Sequence, residues 1–264
     1  MTIDGKAIAE ELYVDLAGFF AARHARLGLL VVGADAVIGS FVRIKTRGAQ
    51  RLGIETVRID LPVDAATEDV IERTHKLAAE TDAVIVQLPL PRKVDMNAAL
   101  SAIPAGKDVD ALNPAVSNDE RIVRAPVALA VVEILKRAGV EPAGQRTVVV
   151  GEGRLVGAPT AQLLRKLGAR VSIFSLEHGS IHDLKDADIA ILGAGKPGFI
   201  KPEHLKKGVV LIDAGASEQA GKIKGDADPS CASVASVFTP VPGGVGPIAV
   251  AMIFRNLRTL IERQ

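Results

Sequence analysis

The stretch that decides the fold is "TVVVGEGRLVGAPTAQLLRKLGARVSIFS", residues 147–175. A run of valines leads into a glycine-rich turn, a segment with helical periodicity follows, and a second branched-aliphatic run ends the stretch. Buried strands of parallel sheets are continuous aliphatic runs, and a helix is the usual connection between two of them. The stretch therefore predicts a strand, a glycine turn, a helix and a second, parallel strand.

The glycine turn is typical of a dinucleotide site. Gly151, Gly153 and Gly157 allow a tight turn and a close approach of the backbone to a ligand, and a helix that begins near Val156 offers amide groups to a pyrophosphate. The spacing G-x-G-x-x-x-G is one residue longer than the usual fingerprint. Dinucleotide binding is the favoured interpretation, although glycine turns also occur without a ligand.

Charged residues near this turn bear on the choice between NAD and NADP. Glu177, at the end of the second strand, could accept hydrogen bonds from ribose hydroxyls and would repel a 2′-phosphate. Glu152 adds a second negative charge inside the loop. Both favour NAD, whereas Arg154 or Arg170 could reach a phosphate, so the two cofactors remain open.

The same alternation of short aliphatic runs and amphipathic segments extends along the chain. The predicted strands are "LGLLVVG", "ETVRIDLP", "DAVIVQLPLP", "RTVVVG", "RVSIFS", "DADIAILGAG" and "GVVLIDAG". Three precede residue 90 and four follow residue 146, and a long intervening segment separates the two groups. The pattern predicts an α/β fold of two parallel-sheet domains with a cleft between them.

Composition excludes several classes of partner. With 32 basic and 31 acidic residues among 264, the net charge of +1 gives no field that would attract nucleic acid or an anionic membrane. No apolar run approaches the roughly 20 residues of a membrane span. The single cysteine, Cys231, cannot form an internal disulfide, and the first 20 residues lack the pattern of a signal peptide, so a cytoplasmic protein is expected. The five histidines show no metal-ligand spacing.

The first half contains a second group of candidate residues. Lys45 lies four residues after Phe41 in "GSFVRIKTRG", so the two would share one face of a helix. Gln87, in "VQLPLP", ends a predicted strand, where ligands of open α/β sheets bind. Asp108 and Asp110, in "KDVDALNP", would lie on one face if that segment is extended; the alternative is a solvated acidic loop.

Rigid backbone is predicted near the C-terminal end. The segment "TPVPGGVGPIAVAMIF" has three prolines and three glycines within residues 240–247, just before an apolar helix. It could form a wall against a flat ligand or simply terminate a turn.

The order of these motifs resembles methylenetetrahydrofolate dehydrogenase/cyclohydrolase over essentially the whole chain. The motifs concerned are the lysine helix, "VQLPLP", "KDVD", "VVVGEGRLVGAP", "GAGKPGFI", "LIDAG" and "TPVPGGVGP". The resemblance implies a folate domain of residues 1–122 and 246–264, a Rossmann-like NAD(P)-binding domain of residues 123–245, and a homodimer. It further implies tetrahydrofolate substrates: a hydride passes from 5,10-methylenetetrahydrofolate to NADP⁺ or NAD⁺, and water then opens the methenyl product to 10-formyltetrahydrofolate.

The resemblance also implies roles for individual residues. Lys45 is the lysine of the water step, where a lysine shielded from water can serve as base or water-orienting donor. Gln87 orients that lysine, Asp110 accepts from the ring N–H and amino group of the pterin, and Phe41 stacks near the substrate. The segment from Pro242 and Gly243 through Gly246 to Pro247 lines the pterin and nicotinamide. The implied cofactor-binding residues are Gly151, Gly153, Arg154, Val156, Gly157, Ser175, Gly195 and Gly215.

Several residues depart from the family pattern. Phe41 stands where the family has a tyrosine, which removes a hydroxyl partner of the lysine and puts the water step in doubt before hydride transfer. Ile38 replaces a serine, Ala111 replaces the glycine after "KDVD", and "RAPVALA" stands where "RPCTPRG" is expected. Ile248 and Ala249 replace a Met-Thr pair, and Glu152 and Gly153 replace a frequent Arg-Ser pair.

Two alternatives stay open beside the folate enzyme. One is an NAD(P)-dependent oxidoreductase of the same fold whose substrate has shifted, which the altered pocket residues would explain. The other is a relative that binds ligand without turnover, for which Phe41 and "RAPVALA" are the best support.

Overall fold

The computed structural model describes residues 1–33, 36–175, 178–219 and 222–263, with the backbone alone at residues 36 and 37. The chain folds into two compact units. Unit 2 comprises Glu11–Pro126 and the chain from Val250 onward, and unit 1 comprises Met1–Glu10 and Val127–Ala249. The α/β fold with parallel sheets that the sequence predicts is confirmed.

Unit 2 is built on a three-stranded parallel sheet in the order β2-β1-β3. Its strands are β1 (Arg26–Val32), β2 (Glu55–Leu61) and β3 (Ala83–Val86). The helices, in chain order, are α1 (Gly5–Ala21, which starts in unit 1), α2 (Ala36–Arg51), α3 (Thr67–Glu80) and α4 (Met96–Ser101). The central strand β1 is buried along six of its seven residues, whereas exposed and half-buried residues alternate in β2 at the edge. β3, on the other side of β1, is buried along all four residues, and its Val84 forms a parallel bridge with Asp108.

The last helix of the chain contributes to unit 2 through a buried amide. α5 (Pro126–Arg137) and α6 (Gly157–Lys166) precede α7 (Val245–Ile261) in the chain. The buried Asn256 of α7 donates from Nδ2 to the carbonyls of Val109 (2.9 Å) and Arg124 (2.8 Å). A buried amide that satisfies two loop carbonyls at once fixes where the loop lies against the helix.

Unit 1 contains a five-stranded parallel sheet in the order β10-β7-β6-β4-β5. The strands of unit 1 are β4 (Arg146–Val150), β5 (Arg170–Phe174), β6 (Ile189–Leu192), β7 (Val210–Asp213), β8 (Ser217–Gln219), β9 (Lys222–Lys224) and β10 (Val237–Phe238). β8 and β9 form a separate antiparallel pair. The sequence does not predict β8, β9 or β10, because two or three residues are too few for a periodicity signal.

The described chain also contains short 3-10 helices, one of which carries the single cysteine. They span Ala105–Lys107, Ile181–Asp186, Pro202–His204 and Pro229–Ser233. Cys231, in the last of them, is fully buried and its Sγ donates to the carbonyl of Ile200 (3.3 Å). Burial raises the pKa of the Cys231 thiol to about 11. Cys231 is therefore a small buried residue of the core of unit 1.

Candidate active site

A lysine, an amide and a carboxylate meet in unit 2. Lys45 lies on α2, and its Nζ donates to Gln87 Oε1 (3.1 Å) and stands 3.7 Å from Asp110 Oδ2. The Lys45 and Asp110 side chains are only 15% and 12% exposed. The structure thus brings together three residues that are well separated in the sequence.

Gln87 is held so that its carbonyl oxygen faces the lysine. It directly follows β3, its backbone N–H donates to the Leu30 carbonyl (2.9 Å), and its Nε2 donates to the Leu88 carbonyl (2.6 Å). The side chain is buried, so its amide must be hydrogen-bonded at both ends. Since the NH₂ group is engaged by Leu88, Oε1 is the end that receives the ammonium of Lys45.

Asp110 is placed by a turn whose anchor is Asp108. The buried Asp108 carboxylate accepts from the amides of Leu112 (3.0 Å) and Asn113 (2.7 Å), and Arg121 Nη1 lies 3.4 Å from it. Burial raises the pKa of Asp108, and the two amides oppose that rise. The segment after Asp108 is a turn rather than an extended strand, so the condition under which the two aspartates are expected to share one face is not met. The alternative of a solvated acidic loop is also wrong for Asp108.

Ala111 has a backbone conformation that side chains rarely adopt. Its φ is +57°, and it is the one non-glycine residue with positive φ in the described chain. A left-handed conformation brings Cβ close to the following carbonyl and costs roughly 1–2 kcal/mol. The strain lies directly after Asp110, at the position where the family pattern has glycine.

Phe41 lies one helical turn before Lys45. Its residue surface is 37% exposed, which is unusual for a phenylalanine. The ring gives this end of α2 an apolar surface and, unlike a tyrosine, offers no hydroxyl to the lysine. Ile38, one turn earlier, is buried.

The predicted cofactor residues of unit 1 gather at one edge of its sheet. Gly151 directly follows β4, Ser175 directly follows β5, and Gly195 and Gly215 lie in the loops after β6 and β7. Because these strands are parallel, all four loops leave the sheet at its carboxyl edge. This is where open α/β sheets bind their ligands.

The turn between β4 and α6 has the shape of a phosphate cradle. A Cβ on Gly157 would lie 2.0 Å from the Gly151 carbonyl oxygen, so only glycine allows the helix to start this close to the strand. A Cβ on Gly153 would meet open space, which leaves that side of the turn accessible to a ligand. Val156 precedes the helix, and within the described part of the chain no side chain caps its first turn. The residues therefore fit a dinucleotide pyrophosphate.

Two charged residues and a serine near the turn bear on the choice of cofactor. Glu152 and Arg154 are both exposed on the turn. Ser175 Oγ accepts from the His178 amide (3.2 Å), and its backbone N–H donates to the His178 carbonyl (2.9 Å). Glu177 lies outside the described residues.

The proline and glycine segment lies in unit 1 and leads into α7. Gly243, with φ +107°, accepts at its carbonyl from the Gly5 amide (2.9 Å), whereas Pro242 and Gly246 are exposed. Lys45, Gln87 and Asp110 lie in unit 2, whereas residues 240–247 lie in unit 1.

Two buried aspartates beneath the cofactor loops are not among the residues that the sequence singles out. Asp213 ends β7 and is 2% exposed, and Asp226 is fully buried in the loop after β9. Burial raises the pKa of both, that of Asp213 to about 7. Asp213 lies in the quoted motif "LIDAG". Its carboxylate accepts from backbone amides of the described residues, and backbone amides do not depend on residue type, so the sequence gives no sign of these hydrogen bonds.

Two family profiles match most of the chain. The family profile "Tetrahydrofolate dehydrogenase/cyclohydrolase, catalytic domain" matches residues 3–110, and the profile of its "NAD(P)-binding domain" matches residues 125–264. The chain belongs to the tetrahydrofolate dehydrogenase/cyclohydrolase family.

Individual members of the tetrahydrofolate dehydrogenase/cyclohydrolase family match nearly the whole chain. The bifunctional protein FolD of Staphylococcus aureus (strain bovine RF122 / ET3-1) is 34% identical over 268 aligned residues, which cover 96% of this chain and 94% of that protein. The solved structure of Trypanosoma brucei N5,N10-methylenetetrahydrofolate dehydrogenase-cyclohydrolase with NADP and an inhibitor is 30% identical, with a TM-score of 0.93 over 100% of this chain and 97% of that one. The Campylobacter jejuni FolD structure is 26% identical, with a TM-score of 0.93 over 100% and 99% of the two chains.

The described residues show neither a membrane-spanning helix nor a metal-binding cluster. Among them, no helix is long and apolar enough to cross a bilayer, and no three His, Cys, Asp or Glu side chains are grouped as ligands would be.

The strain at Ala111 leads to a stability prediction. Ala111→Gly should raise the free energy of unfolding by about 0.5–1 kcal/mol, because relief of the left-handed strain exceeds the extra entropy of an unfolded glycine. The measurement is urea denaturation of this family member and its variant. Ala17→Gly, on the exposed side of α1, is the control of opposite sign and should lower stability by about 1 kcal/mol. Equal losses in both variants would contradict the assignment of strain to Ala111.

The raised pKa of Asp213 predicts how stability depends on pH. The ordinary pKa of an aspartate is near 3.8 and that of folded Asp213 is about 7. The folded state therefore binds this proton more tightly, and the stability it provides is lost as pH rises through 7. Between pH 5 and 8 the free energy of unfolding should fall by about 2 kcal/mol or more on account of Asp213.

Urea denaturation at several pH values measures this slope. Asp213→Asn should flatten it markedly, while Asp64→Asn, at an exposed loop position, should leave it unchanged. An unaltered slope in the Asp213 variant would contradict the raised pKa.

Proposed function

We propose that this protein is a bifunctional enzyme of one-carbon folate metabolism. It oxidises 5,10-methylenetetrahydrofolate to the methenyl compound and then hydrolyses that compound to 10-formyltetrahydrofolate. Membership of the family supports both activities. The observation that carries the proposal is the Lys45 ammonium, held between Gln87 Oε1 and Asp110 Oδ2 in a largely buried position.

Lys45 is assigned to the water step. Water adds to the methenyl carbon and gives up one proton. The hydroxyl that remains loses the second proton as the formyl carbonyl forms, while the bond from that carbon to N5 breaks and N5 takes up one proton, so one proton is released overall. A side chain that both donates and accepts protons must lie within hydrogen-bond reach of this water, and Lys45 Nζ is the candidate. Gln87 keeps Nζ in place, because its own NH₂ is fixed on Leu88.

Asp110 is assigned to substrate binding. A carboxylate can accept two parallel hydrogen bonds from the ring N–H and amino group of a pterin, and such charge-assisted pairs fix orientation as well as affinity. Its Oδ2 also lies 3.7 Å from Lys45 Nζ, so the carboxylate faces the lysine as well. Phe41 provides an apolar surface one turn away. Pro242, Gly243 and Gly246 complete the proposed folate contacts.

The loops at the carboxyl edge of unit 1 are assigned to NAD(P)⁺, which supplies the hydride acceptor. The proposed contacts are those that the sequence predicts: Gly151, Gly153, Arg154, Val156, Gly157, Ser175, Gly195 and Gly215. The amides at the start of α6 would face the pyrophosphate, and the acid in the turn, Glu152, favours NAD⁺ over NADP⁺.

The two activities differ in their dependence on Phe41. Hydride transfer needs the donor carbon held near the nicotinamide, which requires shape more than a hydroxyl. The water step needs an oriented lysine, and the tyrosine hydroxyl of the family pattern is missing here. We therefore propose a weakened cyclohydrolase beside an intact dehydrogenase.

One assay tests the proposal. Purified protein is mixed with 5,10-methylenetetrahydrofolate and either NAD⁺ or NADP⁺, and reduced nicotinamide and methenyl absorbance are followed together. 5,10-Methenyltetrahydrofolate is then added alone. The expected result is reduced cofactor with slow loss of the methenyl compound. If neither cofactor is reduced and the methenyl compound decays only at its buffer rate, the protein has another substrate or binds ligand without turnover.

Variants separate the two steps. Lys45→Met should lower the cyclohydrolase rate at least about 10²-fold, as expected for loss of a general acid–base group, while hydride transfer persists. Phe41→Tyr should speed the cyclohydrolase step without changing hydride transfer. Arg47→Met, exposed on the same helix, is the control and should alter neither. If Lys45→Met retains the wild-type hydrolysis rate, Lys45 has no part in the water step.

The remaining proposals concern organisation. We propose that residues 1–122 with 246–264 function as the folate domain, that residues 123–245 function as the NAD(P)-binding domain, and that the protein is a cytoplasmic homodimer. The resemblance supports the domains and the dimer, and the single, buried cysteine is consistent with a reducing compartment. Sedimentation equilibrium should give twice the mass of 27.6 kDa; a concentration-independent monomer would overturn the dimer.

A further inference from the structure

The Asp226 carboxylate accepts hydrogen bonds from three consecutive backbone amides of another loop. Its Oδ2 accepts from Ala194 (2.6 Å) and Gly195 (3.1 Å), and its Oδ1 accepts from Lys196 (2.6 Å). These amides belong to the loop after β6, well before Asp226 in the chain. The carboxylate is fully buried although the three residues that it holds are exposed.

A second cofactor loop packs against the same carboxylate. A Cβ on Gly215, in the loop after β7, would lie 2.3 Å from Asp226 Cγ, so the backbone there rests directly on the carboxylate. Asp213 accepts from the amides of Gly215 (3.0 Å) and Ala227 (2.8 Å). Asp226 is thus the point at which the loops after β6 and β7 are joined.

Backbone hydrogen bonds fix the segment that carries Asp226. The Gly198 amide donates to the Gly225 carbonyl and the Ile200 amide to the Asp226 carbonyl, both at 3.0 Å, and the Asp228 amide donates to the Ile200 carbonyl (2.8 Å). Movement of this segment would therefore be transmitted to the loop after β6.

The energetics favour a specific role for the charge. A buried carboxylate is costly, and burial accordingly raises the pKa of Asp226, an effect that amides alone oppose. What the carboxylate adds is orientation, because three amides directed at two oxygens fix three successive peptide planes.

The direction of these amides limits what the Gly195 loop can do. Since the N–H groups of Ala194, Gly195 and Lys196 are engaged by Asp226, they are not available to a cofactor phosphate. The Gly195 carbonyl accepts from Ser217 Oγ (2.9 Å). The loop can therefore serve as a fixed surface against which a flat group packs, and not as an anion-binding nest.

We propose that Asp226 is a positioning residue for the dinucleotide, which holds the Gly195 and Gly215 loops in the arrangement that receives it. The proposal rests on the proposed function, since contacts of Gly195 and Gly215 with NAD(P)⁺ are themselves part of that proposal. Asp226 acts through these loops and does not touch the ligand.

The test compares Asp226→Asn with Asp228→Asn by calorimetric titration with NAD⁺ and NADP⁺. Asparagine keeps one acceptor oxygen but directs an NH₂ group at an amide donor, so affinity for the better cofactor should fall about tenfold. Asp228 is the matched control, because its carboxylate caps Ser230 (2.9 Å) and contacts neither cofactor loop among the described residues; its variant should stay within about twofold of wild type.

Two further measurements separate positioning from general destabilisation. In Asp226→Asn the KM for the dinucleotide should rise about tenfold while the KM for the folate substrate stays constant, and amide hydrogen exchange should accelerate in residues 194–198 alone. Asp226→Glu, which retains the charge, should recover part of the affinity. If Asp226→Asn does not fold, Asp226→Glu is measured in its place. Dinucleotide affinity and amide hydrogen exchange equal to those of the wild type would contradict the proposal. Weaker dinucleotide binding with an unchanged KM for the folate substrate would support it.

The outcomes also distinguish the two levels of proposal. A wild-type protein that binds neither NAD⁺ nor NADP⁺ refutes the proposed function, and this inference with it. A wild-type protein that binds a dinucleotide while Asp226→Asn binds it equally well refutes only the role of Asp226.

Discussion

Irregular loops carry backbone amide groups that no neighbouring strand accepts, and in both units of this chain buried aspartates accept them. Asp108 accepts two amides in unit 2, and Asp226 accepts three in unit 1. A buried amide without an acceptor costs free energy. Because the carboxylates accept such amides, they hold irregular loops in one conformation, as interstrand hydrogen bonds hold the strands. In unit 2 that definition extends to Asp110 and hence to the surroundings of Lys45. The candidate site therefore depends on residues that take no part in its chemistry.

Much of the fold can be predicted because its causes are local. Each of the seven aliphatic runs is present as a parallel strand, since short runs rich in branched aliphatic residues and bounded by turn residues favour buried strands over helices. The positions of Gly151 and Gly157 follow in the same way from the close approach of a strand and a helix. The pairing of Lys45 with Gln87 is expected only from the family resemblance, because 42 residues separate them.

What cannot be predicted depends on contacts between distant backbone and side-chain atoms. Asp226 receives amides from residues 30 to 32 positions away, and nothing in "KGDAD" distinguishes it from a solvated acid. Asn256 stands among polar residues in "RNLRT", so nothing in the sequence marks it as buried, and the carbonyls that it satisfies lie 132 and 147 residues earlier. The alternating aspartates of residues 108–111 are compatible with a strand, although the structure has a turn there. Nothing in this sequence indicates the left-handed backbone at Ala111.

The single thiol of this chain has a practical consequence. Thiol-directed dyes react with the thiolate, and Cys231 is fully buried with its pKa raised to about 11. The native, folded chain should therefore react very little with maleimide reagents. A cysteine introduced at an exposed position such as Val63, whose surface is 66% accessible, would carry a fluorophore or spin label at one defined place without removal of the native residue.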